Sequence, residues 1–234
     1  MKSTIGMLLG FGLALIVAMP SPATAQSPTH EVIKALGTCY ALGTDTLGSA
    51  HHYPPQANTG TGDLGLDPKF TEALAIYRSC FASDFEFNII LGNGEGPTIP
   101  WAALVSNPGG DRALEWANFV NRAFRGPAAS WNCPNDANCT VNQYESTQHQ
   151  LGTQLATANG NTGTLQSYLT ATHTYHQDAN GNSLDAQGRK GMSVAYGTYV
   201  NKVVLERGKW KIQERNLILR RGVALPHVSG VPVP

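Results

Sequence analysis

GTYVNKVVLERGKWKIQERNL, residues 197–217, is the stretch on which the fold turns. Glu206-Arg207-Gly208-Lys209 is a hairpin-turn signal between two strand-like runs, residues 191–206 and 209–221. Upstream, Ala158-Asn159-Gly160-Asn161 is a second turn signal, between strand-like runs at 143–158 and 163–176. Asp178 to Lys190 (DANGNSLDAQGRK) reads as a longer polar hairpin tip. The C-terminal third is therefore a run of antiparallel strands.

Helical signals dominate before it. Residues 30–46 place Val32, Ile33, Leu36, Tyr40 and Leu42 at amphipathic-helix spacing. Residues 47–66 are rich in Gly, His, Pro and Asn and read as a loop. Asp67-Pro68 starts a second helix that runs to about Cys80, with Asp at the cap and Pro at the first helical position. Ala82-Ser83-Asp84 reads as a turn, followed by a strand in which Phe85, Phe87, Ile89 and Leu91 alternate. Gly92 to Gly96 reads as another turn. A short helix, a Pro-Gly-Gly interruption and a longer helix over 111–124 follow, then a cysteine-containing loop at 125–142. Helices first and antiparallel strands after give an α+β class, with helices covering one face of a curved sheet.

The chain has 234 residues, with 16 basic and 16 acidic side chains and no basic cluster. A nucleic-acid partner is not expected from that balance. Lys2, an uncharged run from Ile5 to Met19, Pro20, Pro22 and Ala23-Thr24-Ala25 form a signal-peptide pattern. The run is shorter than the roughly 20 residues a spanning helix needs. Residues 1–25 are therefore expected to be removed on export, and 26–234 to form one periplasmic or secreted domain without a membrane span. The other reading of the run is an uncleaved anchor.

Four cysteines suit an oxidising compartment. Cys133 and Cys139 bracket a short Pro-Asn-Asp-Ala-Asn loop and are expected to bridge. Cys39 and Cys80, each on a predicted helix, either pair or stay buried and free. No CxxC pair favours zinc. Asn138-Cys139-Thr140 matches a glycosylation sequon.

The chemistry-bearing candidates are Tyr40 and Asp45 near the end of the first helix, His149 in TQHQLG, and His173 in SYLTATH. A hairpin turning near 159–161 brings His149 and His173 almost opposite each other. A carboxylate beside a histidine orients the ring and stabilises its charged form, which makes a general base. A buried tyrosine can hydrogen-bond a developing oxyanion. Taken singly, each residue has a plain structural reading as core, cap or surface. Glu214 and Arg215 alternate on the last strand, so only one should face a pocket.

Together, the Tyr40…Asp45 helix (CYALGTDTLG), the helix ending IYRSCF, the two histidine strands and the final hairpin resemble the nuclear transport factor 2-like superfamily, in its SnoaL-like and scytalone-dehydratase-like branch. The resemblance spans about residues 30–222. It implies a cone-shaped fold with an internal pocket, and lyases that act without metal or organic cofactor. Tyr40, Asp45, His149 and His173 would line the pocket as catalytic residues. Arg215 (or Arg220), Tyr196, Trp116 and Phe119 would contact a small apolar or aromatic substrate, in a homo-oligomer. The reaction implied is loss of water from an aromatic alcohol, or dehydroxylation with formaldehyde release from a lignin-derived diaryl propanoid. His149 is the expected base, oriented by Asp45, with Tyr40 and His173 on the departing or developing oxygen. The alternatives are a ketosteroid-isomerase-like proton shuttle, a non-catalytic exported ligand binder and an assembly domain. No metal is expected, although Asp45, His149 and His173 could in principle form a 2-His-1-carboxylate set. His51-His52 are expected to diverge.

Overall fold

The computed structural model describes residues 28–49, 68–127, 140–142, 144–175 and 192–225. The signal-peptide segment, the 50–66 part of the predicted loop, His51-His52, the Cys133–Cys139 pair with its sequon, and the 178–190 tip lie outside the described residues.

Helix α1 runs Pro28–Gly48 and buries Ile33, Leu36, Gly37, Tyr40, Ala41, Thr44 and Leu47. These recur at the spacing of one helical face. Val32 and Leu42, counted above toward the apolar stripe, fall off that face and are 52% and 56% exposed. Helix α2 (Pro68–Cys80) packs on α1. Gly43 permits the approach, because a Cβ there would lie 2.7 Å from the Tyr77 ring. Cys39 and Cys80 form a disulfide across this interface, with Cα atoms 6.2 Å apart.

Strand β1 (Phe81–Ile90) follows α2 directly. Ala82-Ser83-Asp84 is therefore strand, not turn. A register shift between Phe81 and Glu86 absorbs the irregularity. It lets Phe81 and Phe85 both enter the core, where their rings stack 3.7 Å apart, while Ser83 and Asp84 face out. The Ser83 N–H donates to the Glu206 carboxylate at 3.1 Å, and Gln213 donates to Asp84 at 2.7 Å.

A 3₁₀ turn at Gly92–Gly94, strand β2 (Thr98–Ile99), helix α3 (Trp101–Leu104) and helix α4 (Arg112–Phe124) come next. Two short strands, β3 (Arg125–Pro127) and β4 (Thr140–Asn142), pair antiparallel at the ends of the predicted cysteine loop.

The long strands are β5 (Tyr144–Asn159), β6 (Thr162–Tyr175), β7 (Met192–Glu206) and β8 (Lys209–Leu225). All are close to the predicted spans. Gly160 takes φ +59°, and Arg207 and Gly208 take φ +50° and +76°. Positive φ at both central residues, as at Arg207-Gly208, or at the first alone, as at Gly160, is what two-residue hairpin turns of matching twist require. The sheet order is β2-β1-β8-β7-β6-β5, with β1 parallel to β8 and every other pair antiparallel. Helices α1, α2 and α4 cover its inner face over an aromatic core that includes Tyr40, Tyr77, Phe85, Phe87, Trp116 and Tyr199. No described helix is long and apolar enough to cross a membrane.

Candidate active site

β5 is the edge strand of the sheet, so one row of its backbone groups lacks a strand partner. The C-terminal end of α1 lies along it. Gly48 allows this approach: a Cβ there would lie 2.0 Å from Thr147 Oγ1. Asp45 then meets three donors on β5. Its carboxylate accepts from the His149 backbone N–H at 2.9 Å, from Thr147 Oγ1 at 3.2 Å and from His149 Nδ1 at 2.6 Å. The His149 side chain is 7% exposed and that of Asp45 25%. Holding the backbone and the ring of one residue together fixes the imidazole orientation. With Nδ1–H donating to Asp45, the Nε2 lone pair is left as the base.

β5 and β6 pair so that His149 faces Ala171, and Thr147 faces His173. The two histidines are diagonal neighbours on one face, not directly opposite. Their rings meet edge to face at 5.6 Å. His173 also lies against Tyr144 at 4.9 Å and Phe124 at 5.7 Å. Burial, reinforced by the charge of a protonated His149, pulls its pKa down to about 4. His173 is neutral at neutral pH and can donate or accept a hydrogen bond without carrying charge.

Tyr40 belongs to a second group farther along α1. Its ring is 5.4 Å from Tyr199, 6.1 Å from Trp116 and 6.2 Å from Phe87. The Arg215 guanidinium carbon lies 3.7 Å from the Tyr40 ring centroid and 4.3 Å from that of Tyr199. Burial raises the Tyr40 pKa, against the lowering effect of the Arg215 charge. Of the alternating pair, Arg215 is fully buried and Glu214 turns outward to Lys202. Arg220 is exposed, 5.9 Å from the Tyr168 ring. Trp116 stacks on Phe87 at 4.1 Å and on Phe119 at 5.1 Å.

Tyr196 does not join either group. It pairs with Thr170, one residue out of phase with the Ala171–Ala195 pair that shares the His149 face. It therefore points to the outer face of the sheet and is 43% exposed. The structure thus brings Asp45, His149 and His173 together, sets Tyr40, Arg215 and Trp116 in a second group, and leaves Tyr196 outside.

Asn121, Asn201 and Thr147 were not singled out from the sequence. Asn121 was findable: it sits among Trp116, Ala117, Val120 and Phe124 on the buried stripe of α4, where an amide is out of place. It is fully buried, and neither of its side-chain polar atoms has a hydrogen-bond partner. Among the described residues, no group of three or more His, Cys, Asp or Glu side chains could hold a metal ion.

A model of the SnoaL-like domain family matches residues 71–216. Among solved structures, the chain is similar to protein Kfla4162 of Kribbella flavida, with 13% identity over 83% of this chain and 93% of that one, at a TM-score of 0.50. It is also similar to a candidate scytalone dehydratase of Novosphingobium aromaticivorans (14% identity, 87% and 91% covered, TM-score 0.44). A third is the hexachlorocyclohexane dehydrochlorinase LinA-type3 of Novosphingobium barchaimii (12% identity, 88% and 95% covered, TM-score 0.48). No curated protein matches this chain.

Proposed function

The chain belongs to the SnoaL-like domain family, and from that premise we propose that it is a cofactor-independent lyase acting on a hydrophobic aromatic alcohol. The observation that carries this reading is the Asp45–His149 pair, joined at 2.6 Å, with neutral His173 at 5.6 Å. His149 Nε2 takes a proton from the carbon next to the carbinol, and Asp45 stabilises the imidazolium that forms. The C–H electrons become the new double bond as the C–O bond breaks. His173 hydrogen-bonds the departing hydroxyl, and the imidazolium proton leaves with it as water. If the neighbouring carbon bears a hydroxymethyl group, His149 Nε2 takes the proton of its O–H instead: the C–C bond breaks to release formaldehyde, its electrons become the double bond, and the carbinol hydroxyl leaves as water with the imidazolium proton.

Purified protein is incubated with a panel of aromatic diols and sterols with no added cofactor, before and after exhaustive EDTA treatment, and followed by mass spectrometry. Loss of water or formaldehyde that survives EDTA is expected. His149→Ala should lower turnover about 10²-fold or more while circular dichroism stays native. Turnover that needs added metal, or that His149→Ala leaves unchanged, refutes the mechanism.

The signal-peptide pattern of residues 1–25 supports export, with a mature N-terminus near Gln26. Leu155, Tyr168 and Tyr196, exposed together on the outer sheet face, support self-association through that face.

A further inference from the structure

Among the described residues, Arg215 is a buried cation without a counter-ion. It is 0% exposed, and its Nε donates to Asn201 Oδ1 at 2.6 Å. Asn201 is neutral and already occupied, donating through Nδ2 to the Leu165 carbonyl at 2.8 Å. Both terminal nitrogens of the guanidinium lack a hydrogen-bond partner. Among the described residues, no carboxylate forms an ion pair with it. The faces of the guanidinium are covered by the Tyr40 and Tyr199 rings.

Arginine cannot shed its proton in a protein, so the cost of burial is not relieved by neutralisation. An anion relieves it, and the terminal N–H pair is a planar fork matched to a carboxylate. Other unpartnered groups flank the same place. Arg215 pairs with Phe87 across β8 and β1, and Trp116 stacks over Phe87 with its Nε1 free of any hydrogen bond. Asn121 lies farther along the same buried stripe of α4, toward Phe124 and His173, with its amide unpartnered. These polar atoms sit within an aromatic surround and point to a ligand that is itself aromatic and charged.

We infer that Arg215 is the binding site for a carboxylate on the substrate, so that the aromatic alcohol is an aromatic hydroxy acid. The inference rests on the reading of this interior as the substrate site. Tyr40, beneath the guanidinium, and Asp45 are five residues apart on α1, a rise of roughly 7.5 Å. One substituted ring spans that interval, with its carboxylate on Arg215 and its reacting carbon toward His149.

The test is calorimetric titration at pH 7.5 with cinnamate, phenylacetate and naphthalene-2-carboxylate, each beside its methyl ester. At least one acid should bind about 10- to 100-fold more tightly than its ester, the range for hydrogen bonds to a charged group. Arg215→Met should erase that preference and leave ester binding within about 3-fold. Arg215→Lys, which keeps the charge but not the fork, should fall between. Without ligand, Arg215→Met should melt at or above the wild-type temperature, because it removes an uncompensated charge. Equal binding of every acid and ester by the wild type, or an Arg215→Met variant that melts lower and keeps the acid preference, overturns the inference. Acid binding together with no loss of water or formaldehyde from the alcohol panel or from 3-hydroxy-3-phenylpropanoate, whose dehydration gives cinnamate, leaves the anion site standing and refutes the lyase reading. Turnover of uncharged alcohols with no acid preference does the reverse.

Discussion

Replacing His173 with Gln should flatten the acid limb of the stability curve. Folded His173 titrates at about 4, against 6.5 for an unperturbed histidine. Above pH 6.5 the side chain is neutral in both the folded and unfolded states and has no effect on stability. As pH falls below 6.5, the unfolded chain takes up the proton and the folded protein does not. The native state therefore loses ground until about pH 4, where both forms are protonated. A depression of roughly 2.5 units at about 1.36 kcal/mol each amounts to about 3 kcal/mol. The causes are burial against Phe124 and Tyr144 and the neighbouring His149, partly opposed by Asp45. Urea-unfolding midpoints are measured at intervals from pH 7.5 to 4 for the wild type and His173→Gln. Other groups that titrate in this window are common to both proteins and cancel in the difference. The wild type should lose about 3 kcal/mol more than the variant across the window. Parallel curves would refute the argument that His173 is held neutral by its surroundings.

Three other expectations concern the frame. Gly48→Ala forces a Cβ onto Thr147, displaces β5 from Asp45, and should cost about 1–3 kcal/mol together with most of the turnover; an unchanged melting temperature and rate would show that the contact yields freely. The Cys39–Cys80 disulfide closes a sequence separation of 41 residues, so Cys39→Ser should destabilise by up to about 4 kcal/mol on the chain-entropy relation, read by urea unfolding without reductant. Tyr168→Glu, on the exposed outer face, should shift the protein toward monomer in light scattering; an unchanged mass would place any self-association elsewhere.

Local chemistry made much of this molecule legible before any coordinates. The four long strands and their turns follow from strand-like runs and from Gly160 and Gly208 at positions of positive φ. The helices follow from caps and apolar spacing, and the shared face of His149 and His173 from the two-residue period of a hairpin. The family resemblance, also drawn from sequence, rested on the order of these pieces. Asp45 as the partner of His149 came with that resemblance, because nothing local ties residue 45 to residue 149.

Tertiary packing decided the rest. The hairpin register places His149 opposite Ala171, because turn length and the bulges along β5 set the offset that period alone leaves free. Alternation required Glu214 and Arg215 to face opposite ways, but the helices lying on one side of the sheet choose which is buried. The same choice turns Tyr196 outward. The parallel insertion of β1 beside β8 joins segments more than a hundred residues apart, and it alone sets Phe87 next to Arg215. Whether Cys39 and Cys80 could bridge depended on how closely α1 and α2 pack. That no carboxylate among the described residues pairs with Arg215 is a property of its surroundings, and such an absence has no signature in a sequence.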